Sequence, residues 1–230
     1  SIQLHRTDKD NANTNEEAMA SLVISVKSKD PNLVGRLFSA KIIELALANI
    51  PGFFAQSGVK TSGPVIVYWP ALVKSKYIKE IVHVDGKDIE VEPTSQLDLE
   101  EIYYQKEPVK LEKIEIKGER ELYFGELFGT RSGDKGGCAN LGVWAKNSRA
   151  FAFLYDFLTV DKLKDLLPDL QEFKIERFEL ANINSLNFYI HDILQDGVSS
   201  NNKKDGQAKS LGEYLRSKKI KVPESIIGDL

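Results

Sequence analysis

"GTRSGDKGGCANLG", residues 129–142, places five glycines, an Arg, a Ser, an Asp, a Lys and the only cysteine within fourteen positions. The chain before it, "VKLEKIEIKGERELYFGELFG", is strand-like, with Gly118 as a turn, and "ANLGVWAK" behind it reads as a compact apolar strand. A glycine-rich joint between two strands has two readings. Either it is a tight connection with solvated charges, or its backbone must come close to something that is not protein.

Working outward, "SRAFAFLYDFL" and "VDKLKDLLPDL" have helical periodicity, with Ser148 and Thr159 as candidate caps. "FKIERFEL" alternates as a strand does, "SLNFYIHDIL" fits either period, and "KSLGEYLRSKKIKV" reads as a helix with Pro223 beyond it. From about residue 119 this order describes a small α+β sandwich, sheet on one side and helices on the other. Upstream, "DPNLVGRLFSAKIIELALANIPGF" predicts an amphipathic helix with Asp30 as N-cap and Pro31 as its first residue. Residues 14–29 suit a helix or, through Val23, Ile24 and Val26, a strand. Val65 to Trp69 reads as a short strand halted by Pro70, with Tyr68 and Trp69 as core fillers sooner than the lining of a pocket at the strand end. Asp85-Gly86 joins two alternating runs as a type I′ hairpin, and "TSQLDLEEIYYQKEP" is a polar connection.

Composition bounds the function. The chain of 230 residues is 42% hydrophobic and 28% charged, a globular balance, and its net charge of −3 advertises neither nucleic acid nor an anionic membrane. With one cysteine, Cys138, there is no internal disulfide. No apolar run approaches the roughly 18 residues of a membrane helix, and the polar start lacks a secretory core, so the expectation is a cytoplasmic protein. His5, His83 and His191 are scattered, His83 as a surface residue of the hairpin, and no metal or other cofactor is called for.

The glycine stretch matches neither common phosphate motif. Gly129 and Gly133 are four apart, Asp134 precedes Lys135, and Gly136 follows it, which is not a Walker A loop. The physical logic of a cradle remains. Bare backbone N–H groups at Gly133, Gly136 and Gly137 would face an anion, with Arg131 and Lys135 adding charge and Ser132 a hydroxyl. Asp134 beside Lys135 is either an ion pair or an acid/base couple. Two further polar clusters stand apart in sequence. "ANINSLNF" carries Asn182, Asn184 and Asn187, which orient a substrate or shape a turn. "DGQAKSLGEYL" brings Asp205, Gln207 and Lys209 to a helix start, with Ser210 as candidate cap. Cys138 reads better as a small filler than as a nucleophile, since no His is near it in sequence.

"TRSGDKGGCANLGVWA", "FELANINSLNFYIHDIL" and "DGQAKSLGEYL" together resemble the C-terminal ferredoxin-like domain of the AtuA family, the acyclic terpene utilisation proteins. The match runs through Arg131 to Gly136, Ala139, Asn140, Gly142 and Val143, then Leu186, Asn187 and Phe188. "ELALANIPGF", "YWPALV" and "HVDG" look like the last part of the family's larger N-terminal domain. The resemblance implies residues 1–118 as the C-terminal portion of that partial α/β domain and 119–230 as the ferredoxin-like α/β sandwich. It also implies that a long α/β region precedes Ser1 in full-length members, so the chain is a fragment or one piece of a split protein. Gly137 and Cys138 fall where the family varies.

The activity implied is chemistry on a carboxylate or acyl-CoA, of the hydration or dehydration type. On that expectation Lys135 holds the negative group, Asp134 serves as acid/base and Ser132 joins them, with Arg131, Gly133, Gly136, Gly137, Asn140, Asn187 and Lys209 in support. The partners expected are the small acid, further copies of the chain or the remainder of the protein. The alternative is a non-catalytic assembly or ligand-binding domain.

Overall fold

In the computed structural model, residues 1–58, 62–91, 109–114 and 118–227 are described, and the polar connection expected over 94–108 lies outside them. The chain divides into two compact units, Ser1–Ile66 with Ser199–Gly206, and Val67–Val198 with Gln207–Leu230.

In the first unit β1 (Ile2–His5) pairs antiparallel with β2 (Ser21–Ile24), so the ambiguous 14–29 region resolves as a strand after one 3-10 turn. Asp30 caps the expected helix, its carboxylate accepting from Asn32 N–H at 2.9 Å with Pro31 as first residue. The helix is broken once, into α1 (Pro31–Val34) and α2 (Arg36–Leu47), because Gly35 leaves helical geometry at φ −94°, ψ −131°. No side chain of α2 is buried.

In the second unit β3 (Glu80–Val84) and β4 (Lys87–Val91) form the expected hairpin, and positive φ at Asp85 and Gly86 supplies the type I′ turn. Gly118 turns with φ +67° into β5 (Glu119–Tyr123). The short α3 (Phe124–Leu127) leads into β6 (Phe128–Lys135), β7 (Cys138–Ala145), α4 (Ser148–Phe157), α5 (Val160–Leu166), β8 (Ile175–Leu180), β9 (Ser185–Ile190), α6 (Leu211–Arg216) and β10 (Lys219–Pro223). A four-stranded antiparallel sheet has the order β6-β7-β9-β8, and β5 pairs with β10 separately.

One face of the four-stranded sheet is core. Alternation buries Ala139, Leu141, Val143 and Ala145 of β7, and Leu186, Phe188 and Ile190 of β9. Leu154, Leu163 and Leu215 from the three helices that follow belong to the same cluster. That is the α+β layering read from the sequence.

Two expected elements are corrected, and one ambiguous stretch is resolved. Val65–Trp69 joins no ladder, and Tyr68 and Trp69 are 72% and 85% exposed rather than core, because a β-prone run without a pairing strand has no hydrogen-bond partners to hold it. The last helix ends at Arg216. Ile220 and Val222 behind it alternate inward as β10, since β5 offers them a ladder. The ambiguous "SLNFYIHDIL" is a strand, β9, as far as Ile190, and its last four residues turn.

Capping follows side-chain reach more than sequence position. Thr159 caps α5 as expected, but Asn147, not Ser148, caps α4. Ser210 makes no side-chain cap on α6.

Candidate functional site

The glycine stretch is a β-hairpin and not an open loop. Every residue from Phe128 to Lys135 is paired with β7, and only Gly136 and Gly137 turn the chain. Gly136 has φ +63°, the left-handed geometry that a type II′ turn requires at its first position. Gly137 must lack a Cβ for another reason, since one would lie 2.1 Å from the Gln195 carbonyl oxygen.

Strand geometry then sorts the candidate residues by the alternation of side chains across a sheet. Ser132 pairs with Leu141 and Asp134 with Ala139, which puts both on the helix-covered face. Arg131, Gly133 and Lys135 go to the opposite, open face. Asp134 and Lys135 therefore form no ion pair with each other. Lys135 Nζ instead donates to the Asp134 main-chain carbonyl at 2.9 Å. Ser132 is buried and committed, its Oγ accepting from Gly212 N–H at 2.9 Å and donating to the Lys209 carbonyl at 3.3 Å.

The open face gathers what the sequence scatters. One cross-strand row reads Arg131, Gly142, Asn187, Phe178, and the next reads Gly133, Asn140, Tyr189, Glu176. Asn140 and Asn187 are thus diagonal neighbours, about 7–8 Å apart by strand geometry. The Lys209 ammonium reaches over the edge strand to Gly133, where it would lie 2.9 Å from an added Cβ. A Cβ on Gly142 would meet only the Arg131 carbonyl oxygen, at 3.6 Å, so a shallow notch opens between Arg131 and Asn187. No hydrogen bond or ion pair joins the side chains of Arg131, Asn140 or Asn187 to another described residue. Of the other asparagines, Asn184 shapes a turn with φ +51° and Asn182 is exposed.

The same face holds a group that the sequence does not flag. His191 Nε2 donates to Glu176 Oε1 at 2.6 Å, and its ring meets Tyr189 edge-on at 4.9 Å between centroids. His191, and after it Lys174, hold the Glu176 carboxyl below its ordinary value. The Cys138 thiol, with burial second, pushes the Tyr189 phenol above its ordinary value. Tyr189 therefore stays a protonated donor at neutral pH. Asp192 N–H donates to Cys138 Sγ at 3.5 Å, so the cysteine is held within this group. The signal that exposes these residues is alternation: Asn187 and Tyr189 are two apart on one strand, and His191 follows just past its end.

Among the described residues no three of His, Cys, Asp and Glu come together as metal ligands, and no helix is long and apolar enough to cross a membrane.

Residues 1–84 match the model of the acyclic terpene utilisation family protein AtuA, and residues 124–221 match that of the AtuA ferredoxin-like domain. The second match covers the hairpin, the sheet and the start of β10. No curated protein and no solved structure matches the chain.

Proposed function

The chain belongs to the AtuA family of acyclic terpene utilisation proteins, and we propose that it serves as a metabolic enzyme or enzyme subunit whose open sheet face binds a carboxylate or acyl-CoA. Arg131 pairs with the acid or phosphate by its planar fork, and Lys209 adds a second positive charge at the strand edge. The amides of Asn140 and Asn187 donate to the substrate carbonyl. The reaction is hydration or dehydration. In the hydration direction, His191, oriented by Glu176, takes a proton from the attacking water, and Tyr189 returns one to the neighbouring carbon.

One observation carries this reading. Arg131, Asn140 and Asn187 have no side-chain hydrogen bond or ion pair with any other described residue, yet they ring a backbone position that bears no side chain. Ser132, on the other face, holds α6 through the Gly212 N–H, and Asp134 is on that same face.

Thermal-shift titration with propionate, butyrate and butyryl-CoA tests it. A ligand that binds the folded chain raises Tm with concentration. Arg131→Ala removes a charge-assisted pair and weakens binding about tenfold or more. The reading fails if none of the three stabilises the parent chain, or if Arg131→Ala binds as the parent does.

A further inference from the structure

Among the described residues β8 is the last strand of its sheet, and its outer edge lacks the usual guards. An open edge invites another strand, and proteins blunt it with proline, lysine or a bulge. "IERFEL" has no proline and no lysine, and its register with β9 is unbroken. The direction of its main-chain groups follows from one bond. His191 N–H donates to the Lys174 carbonyl at 3.0 Å, so these two residues are a hydrogen-bonded pair. Alternation then turns the main-chain groups of Glu176, Phe178 and Leu180 towards β9, and those of Ile175, Arg177 and Glu179 outward.

We propose that this edge pairs with β8 of a second copy, antiparallel about a two-fold axis at Phe178, so that the two sheets become one. Parity leaves few registers. Outward residues can oppose only outward ones, so the axis falls on a residue and not between two. An axis at either end of the strand would leave most of it unpaired. At Glu176 or Glu179 it would set two carboxylates face to face, and at Arg177 two guanidinium groups, and like charges directly opposite destabilise a sheet. At Phe178 it sets Arg177 of each copy opposite Glu179 of the other, with the two phenyl rings together at the axis. About four main-chain hydrogen bonds then form through Arg177 and Glu179 of the two copies.

Charge makes the edge selective. Within one copy Arg177 already reaches Glu179 at 3.3 Å and the Tyr155 carbonyl at 2.7 Å, on the helix-covered face. Charges so placed refuse an arbitrary strand, yet they match their own sequence in reverse. The contact is short, below the about 800 Å² per side of a stable interface, so the dimer is weak and reversible. It also brings Leu180 of the partner subunit opposite Glu176, which orients His191. The inference goes beyond the anion site and stands whether or not an acid binds.

Sedimentation velocity of the full chain from about 10 µM to about 1 mM tests it. The parent shifts from monomer to dimer as concentration rises. Phe178→Lys, at a position already 46% exposed, sets two ammonium groups at the axis and stays monomeric with the Tm of the parent. In a Cys138→Ser background, Phe178→Cys crosslinks two copies in oxidised glutathione, because a non-hydrogen-bonded pair has its Cα atoms about 4.5 Å apart. Leu180→Cys does not, since its two copies are about 13 Å apart along the strands. Arg177→Glu and Glu179→Arg each lose self-association, and their equimolar mixture regains it as a heterodimer. Where either charge variant fails to fold, the variants at Phe178 and Leu180 decide.

A parent that remains a monomer to about 1 mM overturns the inference, whether the edge serves another protein or none. So does a dimer that survives Phe178→Lys, or a Leu180→Cys variant that crosslinks as readily as Phe178→Cys. A mixture of the two charge variants, both folded, that stays monomeric overturns it as well.

Discussion

The buried hydroxyl of Ser132 accepts a hydrogen bond from Gly212 N–H at 2.9 Å, and so a strand residue caps a helix 80 positions away in sequence. It satisfies one of the N–H groups that the first turn of α6 leaves without a partner. The role is that of an N-cap, supplied from across the fold because Ser210 makes no such bond. Ser132→Ala therefore costs about 1–2 kcal/mol, the usual toll of a lost cap and an orphaned buried donor, in urea denaturation. Butyrate binding stays within about twofold, since the hydroxyl is on the covered face. A variant as stable as the parent shows that the cap contributes nothing.

Thr130 offers the opposite case under the same helix. Its Oγ1 is buried with no partner among the described residues, and it would lie 2.7 Å from a Cβ placed on Gly212. Thr130→Val exchanges an unsatisfied hydroxyl for a methyl of similar size and is neutral or stabilising by up to about 1 kcal/mol. Gly212→Ala pushes α6 off β6 and costs about 1–3 kcal/mol. Denaturation curves that reverse this order refute the packing described for α6.

Gly142 separates binding from folding. A valine there suits a strand and meets no contact tighter than the one at 3.6 Å, so Tm holds within a few degrees. The same side chain fills the notch between Arg131 and Asn187. Gly142→Val loses butyrate binding about tenfold or more in isothermal titration, and unchanged affinity would place the acid elsewhere.

Lys135 and Arg131 are predicted to part company. Lys135 turns its ammonium onto the Asp134 carbonyl, whereas Arg131 has no side-chain partner among the described residues. Lys135→Ala changes the acid's Kd by less than about threefold, against about tenfold or more for Arg131→Ala. Equal losses in the two variants would return Lys135 to the centre of the site.

The His191–Glu176 pair sets an acid-side dependence. The Glu176 carboxyl titrates below its ordinary value of 4.5 when folded, with His191 as the first cause. A depressed carboxylate contributes its stability in full above the unfolded value and loses it as pH falls through the folded one. The pair's contribution is thus complete above about pH 4.5 and fades below it, and it is small, because both side chains are partly exposed. Carbon-detected NMR of Glu176 should show its midpoint rising in His191→Ala, part of the depression surviving through Lys174. A midpoint that does not move rules out His191 as the cause.

Local signals explain what was readable. Asp30-Pro31, Thr159 and Asp85-Gly86 act within a few residues of themselves, and each does what its chemistry predicts. The run at Val65–Trp69 has strand composition but no ladder, while Ile220 and Val222, taken into a helix on the sequence, are held as a strand by β5. In both cases the decision rests with a partner that is distant or missing, which no local pattern encodes.

The site divides along the same line. Its residue types are plain in the sequence, and Arg131, Asn140 and Asn187 stand together in the folded sheet. The hairpin pairing parts Ser132 and Asp134 from Arg131 and Lys135, adjacent though they are in the chain, because successive strand side chains point to opposite faces. Nothing in the sequence joins His191, Glu176 and Tyr189, because their partnership exists only through the pairing of β8 with β9.

By itself the sequence settled the family, the α+β class and the places where the chain must turn, all of which are written in short-range spacing and in the chemistry of single residues. Tertiary structure alone decided which face of the sheet each polar group occupies, which strand caps α6, and which cations lie beside an open notch. Those outcomes depend on register and on which side of the sheet is buried. Both are set by contacts between segments far apart in the chain.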